Sequence, residues 1–182
     1  MINKIRKEIK SIAEESDWKY HIIPVVKYAK KLAKILKSDE KIVELAALLH
    51  DIGRLKFGDK DHDITGVPEA EKILKRYKYS QDIIDEIKHC IASHRSSKGV
   101  APKTIIAKII ANADAMAHFD IVPVFFYWKT KKHSFEEALK WVNDKINRDW
   151  QKKLTLPVAK KMMTEKYKAI KLILDTSKEY IK

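Results

Sequence analysis

The chain has 182 residues, 45% apolar and 35% charged, with four glycines, five prolines and one cysteine. This length suits one domain, able to bury roughly 70% of its unfolded surface without a disulfide or structural metal. The scarcity of glycine and proline excludes collagen-like and turn-rich all-β chains, and the lone Cys90 excludes an internal disulfide framework or a cysteine-rich zinc site.

Charge interrupts every apolar run in residues 1–10, unlike a signal peptide, and no stretch approaches the roughly 20 apolar residues of a membrane span. A cytoplasmic protein without a membrane partner is expected. Helical periodicity predicts an all-α, single-domain bundle of about eight helices. Residues 2–15 form an amphipathic first helix, and 21–37 a second with Val25, Ala29, Leu32 and Leu36 on one stripe. Asp39 caps a third, running to about Arg54 and apolar nearly all round, as a central buried helix should be. Gly58 and the charged run 59–63 make a loop before a fourth helix ending at Tyr79. Ser80 caps a fifth, ending near His94; residues 95–103 are loop, and Thr104 caps a sixth to about Phe119. The uncharged interval 121–128 (IVPVFFYW) is expected in the core. Ser134 and Pro157 begin two longer helices, so that 134–182 packs on a core of about 20–120.

Several polar residues stand where the helical period calls for apolar ones. His21 lies one turn before Val25, His50 follows Ile42 and Ala46, Asp51 follows Ala47, and Asp114 continues Ile106 and Ile110. His94 lies four residues after Cys90 and seven after Ile87, again facing inward. An isolated buried carboxylate costs several kcal/mol unless it is paired or binds a metal, so this many from separate helices point to a shared polar centre. Imidazoles and carboxylates together are the ligand types for one or two divalent ions: Mn, Fe, Ni, Co, Zn or Mg.

The order His21, then His50-Asp51 within LLHDIGR (48–54), then Asp114 within ANADAMAH (111–118), resembles the HD superfamily of metal-dependent phosphohydrolases over about residues 20–120. The resemblance implies an all-helical fold, with metal held by His21, His50, Asp51 and Asp114. Members with two metals have counterparts of His62 in KDHDITG (60–66) and His94 in IASHR (91–95), with Asp51 bridging the ions. The implied reaction is hydrolysis of a phosphate ester or anhydride of a small phosphorylated substrate, a nucleotide foremost, by a metal-activated water. Asp51 and Arg54 would then serve catalysis, and Arg54, Lys56, Arg95 and Lys98 the substrate phosphate. One departure stands out. Some single-metal nucleotidases of this family carry a Glu three residues after the Asp of the HD pair, where this chain has Arg54; Asp59, Asp61 or a hydroxide on a second metal could take its place. His118, one turn past Asp114, is expected to orient a ligand. His89 is expected to face solvent, and His133 receives no role.

The net charge of +13 favours anionic partners. The lysines, however, are interleaved with acids along every helix, and only five of the 38 basic residues are arginine, the usual residue for bidentate phosphate or base contacts. Nucleic acid is therefore not the favoured partner. Two other functions remain open at this point: a non-catalytic nucleotide- or RNA-binding module, and a di-iron oxygenase using an overlapping ligand set.

Overall fold

The computed structural model describes residues 1–95, 99–177 and 179, and every regular element among them is helical. The eleven α-helical segments are α1 (Ile2–Ile12), α2 (Glu15–Asp17), α3 (Ile23–Leu36), α4 (Glu40–Leu49), α5 (Ile52–Phe57), α6 (His62–Arg76), α7 (Gln81–Ser93), α8 (Ile105–Asp120), α9 (Val122–Thr130), α10 (Phe135–Arg148) and α11 (Pro157–Ser177). Two π-helical turns, Trp18–Ile22 and Asp149–Lys153, lead into α3 and out of α10.

The caps follow from sequence. Asp39 accepts from the N–H groups of Lys41 and Ile42, Thr104 from Ala107, and Ser134 forms a reciprocal capping box with Glu137. Ser80 stands at the start of α7 but makes no side-chain cap bond. One cluster of buried apolar side chains extends from Ile5 on α1 to Leu174 on α11. Helix α8 runs through it, buried continuously from Ile109 to Phe119. Its small residues Ala111, Ala113, Ala115 and Ala117 allow neighbouring helices to approach closely.

Three segments exceed the eight helices expected. Residues 15–17 form a separate turn, the helix expected over 39–54 is split, and 121–128 is helical. The split falls at Asp51, whose φ of −107° and ψ of 16° leave helical geometry before α5 resumes. Successive residues on an unbroken helix point about 100° apart; the break lets His50 and Asp51 serve the same centre. The interval 121–128 becomes α9, which leaves α8 at a 74° bend after Ile121. Pro123 suits its first turn, since a missing N–H costs nothing there. Expected in the core, α9 buries only Phe125; one helix can turn only one stripe inward, and Pro123 and Tyr127 face solvent.

Gly53 and Gly66 bring α5 and α6 into contact. A Cβ on Gly53 would lie 2.2 Å from the carbonyl oxygen of His62 and 2.6 Å from the nitrogen of Gly66, so backbone would have to move. Gly53→Ala is expected to destabilise the protein by at least about 1–3 kcal/mol, the usual cost of overpacking a tight core, and to displace His62. A urea midpoint matching wild type would show that α5 and α6 do not need this approach.

Candidate metal centre

Helix interruptions aim the polar residues at one point. His21 lies in the first π turn, where the N–H of Ile23 reaches back five residues to the carbonyl of Trp18; such turns recur at functional sites because they rotate one side chain out of helical register. His50 and Asp51 occupy the α4–α5 break, His62 opens α6, His94 follows α7, and Asp114 and His118 sit one turn apart on α8.

Asp51 is the hub. Its Oδ2 lies 3.1 Å from His21 Nε2 and 3.7 Å from His50 Nε2. Its Oδ1 lies 3.4 Å from both His62 Nε2 and His94 Nε2. Asp114 Oδ1 closes the first side, 3.4 Å from His21 and 3.9 Å from His50. The side chains brought together are therefore His21, His50, Asp51 and Asp114 on one flank and Asp51, His62 and His94 on the other. All are buried except His62, which is half-buried.

The protonation pattern shows what the centre can hold. His50, His62 and His94 each place Nδ1 against a backbone carbonyl, of Ala47, Asp59 and Ile91, at 2.8, 2.9 and 2.6 Å. A carbonyl only accepts, so Nδ1 carries the proton, and in the neutral ring Nε2 presents a lone pair. His21 and His50 nevertheless bring their Nε2 atoms to 3.2 Å, and His62 and His94 theirs to 3.0 Å, beside the two Asp51 oxygens. At His62 and His94, whose Nδ1 protons are so fixed, two lone pairs and an Asp51 oxygen converge and repel unless a cation lies among them. The donor set, imidazole nitrogen with carboxylate oxygen, fits a divalent transition metal on each flank.

The electrostatics agree. Burial depresses His21 to about 4, against the pull of Asp51, and it also lowers His50 and His118, keeping these rings in the neutral, ligating form. Burial alone would raise Asp51 and Asp114. Instead Arg54 and the imidazoles hold Asp51 well below the usual carboxylate range, and Lys153 with the imidazoles does the same for Asp114.

The centre lies in a cavity of about 740 Å³, within the range of small-molecule sites. The expected roles of three basic residues change there. Arg54 lines the cavity, but its Nε donates to Asp51 Oδ2 at 2.7 Å and its NH1 to Asp17 at 2.8 Å, so it is committed to holding Asp51. Arg95 lines it too, bound to Asp63 at 2.8 Å. Lys56 is not part of the wall. It points from α5 to Glu69 on α6, 2.6 Å away, because two residues past Arg54 the helix has turned about 200° and carries the side chain from the cavity. Lys98 lies outside the described residues. Of the two candidate acids, Asp59 lines the cavity and Asp61 does not. His89, expected in solvent, is half-buried and accepts from the N–H of Lys103 at 2.9 Å.

Sequence reasoning missed the contribution of the last third. Lys153, in the second π turn, is buried and ion-paired to Asp114 Oδ2. Asp149, in the same turn, accepts from His118 Nδ1 at 2.8 Å. His118 in turn stands 3.2 Å from Asp114 Oδ1 and stacks on His21, with ring centroids 5.3 Å apart and planes 7° apart, so the expected orienting role of His118 has a structural basis. The one sequence signal was the position of Asp149 and Lys153, each at helical spacing from the apolar stripe of Leu139, Val142 and Ile146.

A family model described as HD domain matches residues 18–118. Relatives include the tRNA (cytidine(56)-2'-O)-methyltransferase of Picrophilus torridus, 32% identical over an alignment of 114 residues that covers 55% of this chain and 31% of that protein. Ribonuclease Y of Acholeplasma laidlawii is 35% identical over 99 residues, 53% of this chain and 17% of that protein. The chain thus spans less than a third of either curated relative. Among solved structures, Bacillus subtilis YpgQ in complex with ADP superposes with a TM-score of 0.76 over 99% of this chain and 94% of its own, at 21% identity. An HD superfamily hydrolase from an uncultured Thermotogales bacterium gives 0.58 over 80% and 84%, at 25% identity.

The depressed imidazoles make the metal-free protein acid-labile. Below the ordinary histidine value of 6.5 the unfolded chain takes up a proton at His21, and the folded chain does not until about pH 4. Stability therefore falls as pH drops through that window, with His50 and His118 adding the same sign. A chelator-treated sample is expected to lose a few kcal/mol between pH 7 and 4.5 in urea titrations, and added divalent metal to restore much of it. A flat profile would mean the imidazoles are not buried as described.

Proposed function

The chain belongs to the HD-domain family, and from that premise we propose that it is a metal-dependent phosphohydrolase acting on a nucleotide or another small phosphorylated substrate. The observation that carries this reading is the disposition of Asp51, with one oxygen facing His21 and His50 and the other facing His62 and His94. On this reading His21, His50, Asp51 and Asp114 hold one divalent ion, and His62 and His94 a second that shares Asp51. Such ions supply an activated water and neutralise charge on phosphoryl oxygens.

The chain's own residues do the positioning. Arg54 fixes Asp51 through Oδ2, and Lys153 fixes Asp114 through Oδ2, so that both carboxylates stay ionised and correctly turned while buried. Asp149 holds the His118 ring through Nδ1, and His118 braces Asp114. With its Nε and NH1 occupied, Arg54 serves the reaction chiefly through Asp51. Arg95 and Asp59 also line the cavity, where Asp59 is an acid within reach of a water and Arg95 a cation for a substrate phosphate. The likeness to YpgQ, whose structure holds ADP, supports a nucleotide. The partial match to ribonuclease Y makes a phosphodiester in RNA the second substrate to test.

Elemental analysis and hydrolysis assays on one preparation test the proposal. The assays take nucleotides, an aryl phosphate and a short RNA, with and without chelator, and with Mn, Ni, Co or Mg added back. Chelator-sensitive phosphate release is expected. Asp51→Asn is expected to lower metal content and reduce turnover at least about 100-fold, and His94→Gln to cut bound metal from two equivalents to one. Turnover by Asp51→Asn near the wild-type level would remove the hub from the mechanism. Substrate oxidation that needs iron and oxygen, with no hydrolysis under any metal, would replace the proposal with the oxygenase reading. Salt-sensitive RNA binding without hydrolysis would replace it with the binding module.

A further inference from the structure

The cations around the cavity fall into two groups. Arg54, Arg95 and Lys153 each hold a carboxylate, on Asp51 and Asp17, Asp63, and Asp114 respectively. Lys129, Lys132 and Arg148 also line the cavity, and among the described residues none of them pairs with a carboxylate. Lys145 has only Asp149, at 3.4 Å, an acid already accepting from His118. All four belong to α9, α10 or the turn between them, outside the residues 18–118 that the family model matches. On this wall four lining cations, Lys129, Lys132, Lys145 and Arg148, adjoin a single lining carboxylate, Asp149.

The wall is built rather than incidental. The Lys145 side chain is only 14% exposed, and its ammonium lies 5.3 Å from the Phe125 ring. Lys129 sits 4.2 Å over Trp141, which packs edge-on against Phe125 at 5.5 Å. Half-buried cations have lost part of their hydration, and a charge-assisted bond to an anion returns it. The wall is also close to the centre. Asp114 touches His118 at 3.2 Å, His118 touches Asp149 at 2.8 Å, and Asp149 touches Lys145 at 3.4 Å, so three contacts join the wall to the centre.

We infer that the α9–α10 wall is a second anion subsite, in which Lys145, Arg148, Lys129 and Lys132 receive the phosphates of the substrate that are not at the metal centre. The substrate is then a molecule with two or more linked phosphates rather than a monoester. This rests on the phosphohydrolase reading and deepens it. The phosphate chain is the recognised chemistry, whether it comes from a nucleoside polyphosphate or from an inorganic one.

The test uses the metal-loaded full chain with three substrates: an aryl monophosphate, a nucleoside triphosphate and inorganic tripolyphosphate. Wild type is expected to show kcat/KM at least tenfold higher for one of the two chain phosphates than for the monophosphate. Arg148→Gln, and independently the exposed Lys132→Ser, are expected to raise KM for the chain phosphate five- to tenfold with smaller changes in kcat, the mark of binding shared by ground and transition states. The KM shift for the monophosphate should be several-fold smaller. Thermal melts of both variants should match wild type. Comparing the two chain phosphates identifies the source. Equal KM shifts for all three substrates, or none, would overturn the subsite while leaving the phosphohydrolase standing; absence of hydrolysis of every substrate under every metal would instead remove the underlying reading.

Discussion

Two carboxylates and five imidazoles are gathered in the interior of a helical protein, and the rest of the structure is arranged around that burden. Asp51 and Asp114 remain ionised in the interior because each is held by a cation of the protein, Arg54 on Asp51 and Lys153 on Asp114. Their inner oxygens face imidazole nitrogens whose protons are held elsewhere, on backbone carbonyls for His50, His62 and His94 and on Asp149 for His118. Buried charge without partners would cost several kcal/mol per group. Asp114 divides the task between its oxygens, Oδ2 held by Lys153 and Oδ1 turned to the imidazoles, whereas Asp51 turns both oxygens to imidazoles and takes Arg54 on Oδ2 as well.

A regular helix cannot deliver this geometry, because its side chains fan out every 100°. The scaffold solves the problem by interruption. One π turn presents His21 and another presents Asp149 and Lys153; the break at Asp51 lets the hub and His50 serve one point. Gly53 follows at once, where only a residue without a side chain lets α5 meet α6 and so places His62 opposite His94.

The last third of the chain completes the centre rather than merely covering it. Asn112 on α8 bonds Thr155 through Nδ2 and the N–H of Leu156 through Oδ1, locking the second π turn beside Asp114. That fixed turn supplies Lys153 and Asp149, while α9 and α10 enclose the cavity with aromatic rings and cations. The inner part of the site and its outer wall thus have different origins in the chain, the first within the residues matched by the family model and the second beyond them.

Sequence alone determined the all-helical class, the caps at Asp39, Thr104 and Ser134, and the inward placement of His21, His50, Asp51, His94 and Asp114. These are local properties: a period of 3.6 residues tells which face a side chain occupies, and a polar residue on an apolar face is visible without knowing its neighbours. Tertiary structure decided what local spacing does not encode. The break at Asp51 is followed by the close approach of α5 to α6 at Gly53 and Gly66, and α9 turns away from α8 to form a wall instead of filling the core. Lys56 and Arg95, equally plausible along the sequence, end on Glu69 and Asp63. The partners of Asp114 and His118 come from 39 and 31 residues further along the chain. Whether a cation is held by an acid or left facing the cavity is a property of packing between distant helices, and only the folded chain brings those distances to a few ångströms.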